Sequence, residues 1–338
     1  MNFNGLQRYE TLGGVEISRI PCLRLQESVC RPFEMATYIL RAIPVMNKIA
    51  QHSNYEINHT HFIFPDGILA FWLKRRSGLP YIITAHGSDV PGYNPNRFKY
   101  LHQILKPLWI RVVNEAEEIV TPSYSLGDLI AKQKTITKVS RIPNGIHINR
   151  FNRSRHEKGQ ILVVSRMFER KGIQYFLKAI KGLDLPLDVH IVGSGPYLQV
   201  LERMADSMET SAEITFHGWL DNSSPQFRQL FETASIFVFP SESENFPIVL
   251  LEAMSAGLAI ITTKGTGCAE VVGDTGLLVE PRNPSELREA IVRLYENPEL
   301  SIRLGHEANA RVNGNFSWDA VTNQYLEIYQ RVLGNFSV

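Results

Sequence analysis

From residue 160 onward, short runs of β-branched residues alternate with stretches whose apolar positions recur at three-and-four spacing, and no other feature constrains the fold as tightly. The strand runs are 161–165 (ILVVS), 189–193 (VHIVG), 213–217 (EITFH), 236–240 (IFVFP) and 259–263 (AIITT), each closed by Gly, Pro or Ser. Strands separated by amphipathic helices form βαβ units, and these assemble as parallel sheets with helices on both faces. A less regular version of the pattern marks strands at 15–20, 55–61, 81–86, 118–121 and 139–142. The predicted fold is therefore α/β, with two Rossmann-like doubly wound domains. The length of 338 residues suits two cores. The polar, turn-rich segment 143–159 reads as the join, which divides the chain into 1–152, 153–316 and a last helix in 317–338. Two such domains facing one another leave a cleft at their strand C-termini, where open α/β sheets bind ligands.

Several classes are excluded by composition. No uninterrupted apolar run approaches the roughly 20 residues that span a bilayer, and no basic start leads into an apolar stretch, so a cytoplasmic location is expected. Cys22, Cys30 and Cys268 are odd in number and lack a C-x-x-C pair, which predicts reduced thiols rather than a disulfide framework or a zinc knuckle. Net charge is +1 but uneven: residues 1–150 carry 18 Lys and Arg against 11 Asp and Glu, and the remainder 17 against 23. A basic front half suits a solvated face or peripheral contact with an anionic membrane surface. Nucleic-acid binding has no support, since no basic motif interleaved with aromatics appears.

Chemistry concentrates in two stretches of the back half. Residues 240–257 (PSESENFPIVLLEAMSAG) end a strand, form a polar loop and begin a helix near Pro247, where proline suits the first turn. Glu244 and Glu252 lie eight positions apart, and one carboxylate can accept two hydroxyl hydrogen bonds, as sugar or ribose recognition requires. The bland alternative makes Glu252 a solvated helix residue and Glu244 a helix-start acid. In residues 161–182 (ILVVSRMFERKGIQYFLKAIKG), Arg166 follows a strand and Lys171 precedes a helix start. Free N–H groups at such a turn, with two cations, suit a diphosphate; the alternative is a solvated basic turn. The sequence has no D-x-D to hold a divalent ion. One cation about 4 Å from a phosphate oxygen, at an effective dielectric near 20, contributes roughly 4 kcal/mol before desolvation. That is enough for Arg166 and Lys171 to stand in for the metal, and no cofactor is predicted. Gly193 and Gly195 (GSGP) allow a ligand or neighbouring backbone to approach closely, but Leu198 breaks the dinucleotide fingerprint. His59 and His61 share a strand face without a third ligand at a telling spacing, which favours a polar role at the cleft edge over metal.

Together these residues resemble the retaining family 4 (group 1) glycosyltransferases of the GT-B fold. The likeness rests on the E-x7-E element Glu244 to Glu252, residues 265–270 (GTGCAE), 276–279 (GLLV), 86–89 (HGSD), 142–145 (IPNG), Arg166 with Lys171, and the terminal SWDAV helix. It implies a nucleotide-sugar donor and a saccharide or lipid-linked acceptor in glycan or cell-envelope polysaccharide synthesis. Glu244 would hold the donor sugar, Glu252 the ribose, Arg166 and Lys171 the diphosphate, and the backbone at Asn245 and Phe246 the sugar or phosphate edge, while His86 would reach toward the reacting carbon. It implies same-face transfer in which the departing phosphate oxygen takes the acceptor proton, so no acid/base carboxylate dyad is expected. The last helix would return to the first domain.

The chain departs from the pattern at its start. Its first strand resembles the family's third, with Gly13-Gly14 read as a turn, so the first domain is expected to be incomplete and strand 15–20 to be left unpaired or re-paired. His147 stands where the family commonly has an acid, and Pro247 where it often has Gly. Two rival readings follow: a truncated, non-catalytic GT-B chain that binds nucleotide or supports a partner subunit, and a sugar-nucleotide epimerase.

Overall fold

In the computed structural model, residues 6–25, 31–52, 54–93, 99–152 and 157–334 are described. They form two compact units, Met1–Arg141 with Leu326–Val338, and Ile142–Tyr325. Cys30 lies outside the described residues; Cys22 and Cys268 are free thiols.

The second unit is built on a six-stranded parallel sheet: β7 (Gln160–Val164), β8 (Asp188–Val192), β9 (Glu213–Gly218), β10 (Ile236–Phe239), β11 (Ala259–Thr263) and β12 (Gly276–Val279), in the order β12-β11-β10-β7-β8-β9. Five of these strands sit where the β-branched runs placed them. The sixth, β12, was legible only as a motif, since GLLV is short and opens on glycine.

Alternation along each strand divides the apolar residues between two cores. Leu162, Phe237, Phe239 and Ile260 face one, with Phe227 and Phe231; Ile161, Val163, Ile236, Val238 and Ile261 face the other, with Phe176 and Ile291. Burial on both faces is what makes these runs continuously apolar rather than alternating. The join belongs to this unit because Ile146 and Phe151 are buried in the first of the two cores, and Ile146 makes a parallel bridge to Ser317.

The first unit holds a four-stranded parallel sheet of β3 (Asn58–His61), β4 (Tyr81–Thr84), β5 (Glu118–Thr121) and β6 (Val139–Arg141), in sequence order. The strand expected at 15–20 is not part of it. That segment is β2 (Val15–Ser18), paired antiparallel with β1 (Tyr9–Leu12) in a separate two-stranded sheet turning at Gly13-Gly14. Local pairing across a two-residue turn satisfies its backbone without a distant partner.

The last helix, Trp318–Gly334, buries Val321, Ile328 and Val332 as its three-and-four spacing predicts, but leaves Trp318 46% exposed at its first turn. Residues from Leu326 on count with the first unit, where Arg331 pairs with the buried Glu118 at 2.8 Å.

Phe237 is fully buried at the centre of the second sheet, so Phe237→Ala is expected to cost about 3–5 kcal/mol through the lost transfer energy and the cavity left behind. Trp219→Ala, at a residue 69% exposed, should stay within about 0.5 kcal/mol; urea melts of the two variants check the contrast.

Candidate functional site

In a parallel sheet every strand ends at the same edge, so the segments after β7 and β10 meet there. Beyond β7 the chain runs through Arg166 into a short 3-10 turn, Glu169–Lys171, and then the helix Ile173–Ile180. Gly172 sits between the two with φ +73°, and a Cβ there would come within 2.0 Å of the Pro240 carbonyl. Only glycine permits that approach, and it seats the turn against the loop after β10. Glu242 N donates to Arg170 O at 2.9 Å, and the Arg170 guanidinium donates to Ser243 O at 3.3 Å.

The result is a buried ion pair. Lys171 Nζ contacts Glu244 Oε1, Ser241 Oγ donates to the same oxygen at 2.7 Å, and the ammonium lies 5.5 Å from the centre of the Phe239 ring. The Lys171 and Glu244 side chains keep only 8% and 13% of their exposure. Burial lowers the Lys171 pKa, and Glu244 opposes that shift. Arg166 is exposed, with its guanidinium 5.6 Å from the Phe168 ring, and among the described residues it pairs with neither carboxylate. Its charge and that of Arg170 nevertheless favour loss of the Lys171 proton.

Glu252 lies on the helix Ile248–Ser255, whose N-cap is Pro247, and is 7% exposed rather than solvated. Arg150, from the join, donates to its Oε1 at 2.6 Å. Burial raises the Glu252 pKa, and Arg150 counteracts this. Asn245 and Phe246 are buried; the Phe246 ring packs edge-on to Phe316, and its carbonyl accepts from Asn144 at 3.0 Å. Gly193 and Gly195 serve the neighbouring backbone: Cβ atoms there would lie 1.8 Å from Ser165 O and 2.4 Å from Met167 O. The GSGP loop thus fixes the turn that carries Arg166. Sequence reasoning missed Ser241 and Arg150. Ser241, three residues before Glu244, left a local signal; Arg150 left none.

In the first unit, His86 follows β4 and stands 3.0 Å, Nε2 to Nδ1, from His61. His59 and His61 stack with ring centres 4.6 Å apart, as their shared face predicts. His59, however, is no edge residue. Its ring bonds Tyr329 Oη at 2.6 Å and Thr84 Oγ1 at 2.8 Å, inside the contact of the last helix with the sheet. Asp89, also unassigned from sequence, is buried and accepts from the backbone N–H groups of His86, Gly87 and Ile63. It fixes the loop that presents His86. Among the described residues no group of three or more His, Cys, Asp or Glu is arranged to hold a metal.

Burial holds the pKa of His59 and of His86 at about 4, below the ordinary 6.5, with neighbouring histidine charge adding to the effect. The folded chain therefore binds fewer protons than the unfolded chain between those values, so stability falls as pH drops from about 6.5 to about 4. The urea midpoint should decline across that window, and His86→Asn should flatten the decline. For the ion pair, removing one buried partner strands the other. Lys171→Met is therefore expected to cost about 3 kcal/mol, and Lys171→Met with Glu244→Gln should recover most of it in thermal melts.

Comparison with known proteins identifies the family. Residues 11–150 match the sequence model of Glycosyltransferase Family 4, and residues 147–311 that of Glycosyl transferases group 1. The N-acetyl-α-D-glucosaminyl L-malate synthase of Bacillus anthracis is 26% identical over 329 residues, covering 89% of this chain and 81% of the synthase. Sucrose-phosphate synthase from Thermosynechococcus elongatus shares the fold with a TM-score of 0.83 at 19% identity, over 98% of this chain and 87% of that one. Anabaena Alr3699/HepE in complex with UDP-glucose superposes with a TM-score of 0.71 at 16% identity, over 89% and 84%. Two family models that between them run from residue 11 to residue 311, on parallel sheets of matching architecture, establish that the chain belongs to the group 1 glycosyltransferases of the GT-B fold.

Proposed function

We propose that this protein transfers a sugar from a UDP- or GDP-sugar to a saccharide or lipid-linked acceptor, with retention of configuration and without a metal, in glycan or cell-envelope polysaccharide synthesis. The observation that carries the reading is the buried Lys171–Glu244–Ser241 cluster at the strand ends of the second sheet. A cation and a carboxylate held side by side are the two groups that a sugar diphosphate needs, one for the phosphate oxygens and one for the sugar hydroxyls. Arg166, exposed beside them, adds a second positive charge. In the proposed step the bond from the sugar carbon to the diphosphate oxygen breaks and that carbon bonds the acceptor oxygen on the same face. The acceptor proton passes to the departing phosphate oxygen. Lys171 and Arg166 stabilise the charge that develops on the diphosphate, the term that electrostatic catalysis makes largest. Glu244 orients the sugar.

Support for the donor class comes from the Anabaena protein, which was solved with UDP-glucose. The Bacillus anthracis relative is named for L-malate, which keeps small hydroxy acids in the acceptor panel beside saccharides and lipid-linked sugars. The first unit carries a groove of about 680 Å3 lined by Arg8, Arg41 and Lys48 together with Tyr9, Leu40 and Tyr55. Basic and apolar groups side by side support peripheral contact with an anionic membrane face, on the cytoplasmic side where the free thiols Cys22 and Cys268 stay reduced. Among the described residues no helix is long and apolar enough to cross a membrane.

The test is incubation with labelled UDP- and GDP-sugars and an acceptor panel, with and without a chelator. One donor should yield a labelled α- or β-linked product of unchanged anomeric configuration, at the same rate in chelator. The double substitution Lys171→Met, Glu244→Gln should lower kcat at least a hundredfold, the scale of losing a transition-state contact. Nucleotide binding without transfer to any acceptor would instead favour a non-catalytic chain. Epimerised donor without acceptor would favour the isomerase.

A further inference from the structure

Arg150 is engaged on four sides. One guanidinium nitrogen donates to Glu252 Oε1 at 2.6 Å, and the other to the Asn222 carbonyl in the loop after β9. The guanidinium carbon lies 5.1 Å from the Phe151 ring centre and 5.5 Å from that of Phe227. The following residues are fastened as well: Phe151 is buried and stacks on Phe231 at 4.8 Å, and Asn152 N donates to Glu232 at 2.9 Å. An arginine fixed in this way does not wander to other partners, since its fork is pre-organised and its flat faces are packed.

Glu252 has the complementary problem. It is a 7% exposed carboxylate in mid-helix, and among the described residues Arg150 is the one charge acting on it. Left alone, a buried carboxyl takes up a proton and loses half of its value as a hydrogen-bond acceptor. Arg150 covers Oε1, while among the described residues no group bonds Oε2.

We propose that Arg150 is a positioning residue for the donor nucleotide: it keeps Glu252 ionised and turned so that Oε2 accepts a ribose hydroxyl, and it ties that carboxylate to the loop after β9 and to the join. The proposal rests on the ribose role of Glu252. It adds that the ribose contact depends on a residue outside the E-x7-E element, carried by the segment that enters this unit.

The experiment is isothermal titration of the whole chain with UDP and with GDP, near pH 6.5 and near pH 8.5, in the wild type and in Arg150→Gln, Arg150→Lys and Glu252→Gln. Arg150→Gln keeps a donor for Asn222 while removing the charge. It should weaken binding of the preferred nucleotide about tenfold near pH 6.5, the scale of losing a charge-assisted hydrogen bond. Near pH 8.5 the higher pH itself favours the ionised carboxylate that burial opposes, so the loss should be smaller than near pH 6.5. Expressing each value relative to wild type at the same pH removes the titration of the nucleotide phosphate. Arg150→Lys restores the charge but not the fork to Asn222, so near pH 6.5 it should lose less than Arg150→Gln. The 2′,3′-dideoxy form of the nucleotide should bind the wild type and Arg150→Gln alike. A loss in Arg150→Gln that is the same at both pH values, or no loss, overturns the positioning role while leaving the ribose contact in place if Glu252→Gln still weakens binding. Unchanged binding in Glu252→Gln, or no binding of either nucleotide to wild type, overturns both.

Discussion

A parallel sheet that must bury both faces dictates most of this molecule. Once the runs on β7, β8, β10 and β11 are apolar on both sides, each strand has to be followed by a chain segment that covers a face and returns to the starting edge. All the loops that carry chemistry are then delivered to one edge, whatever their separation in sequence. Lys171 and Glu244 are 73 positions apart and share a hydrogen bond because β7 and β10 are neighbours in the sheet order β12-β11-β10-β7-β8-β9. The two cores fix that neighbour relation, with Phe237 and Leu162 on one face and Val238 and Ile161 on the other.

Placing charge in such an environment is costly unless each charge has a partner. Among the described residues the second unit meets this with two separate buried pairs: Lys171 with Glu244, steadied by Ser241, and Arg150 with Glu252. In both, one carboxylate oxygen takes the protein's cation. Such sites are pre-organised, since the cost of orienting the side chains is met in folding rather than in binding. Glycine makes the close approaches possible. Gly172 brings the Lys171 turn onto Pro240, and Gly193 lets the turn carrying Arg166 rest on the next loop.

The first unit solves a different problem with the same tools. Burial lowers the pKa of His59, His61 and His86, and the three rings are joined in a row, with Tyr329 of the last helix at one end and the Asp89-pinned loop at the other. His86 is thus steadied from below by its own loop and from the side by a neighbouring strand. Arg331 and Tyr329 tie the last turns of the final helix to this unit through the buried carboxylate of Glu118 and the half-buried imidazole of His59.

The sequence by itself determined the α/β class, the position of nearly every strand in the second unit, the Gly13-Gly14 turn and the residues that deserved attention, because hydrophobic periodicity and turn chemistry are local and survive in one dimension. It also singled out Arg166 with Lys171, and Glu244 with Glu252, as candidate ligand-binding residues. Only the tertiary structure decided that Lys171 and Glu244 face each other, that Glu252 is buried against Arg150, that His59 belongs to an interior network, and that 15–18 pairs with 9–12 instead of joining the parallel sheet. The physical reason is the same in each case. A side chain's partner and its burial depend on which strands become neighbours, and that choice is made by the packing of the whole core, with no trace in the spacing of the residues that it brings together.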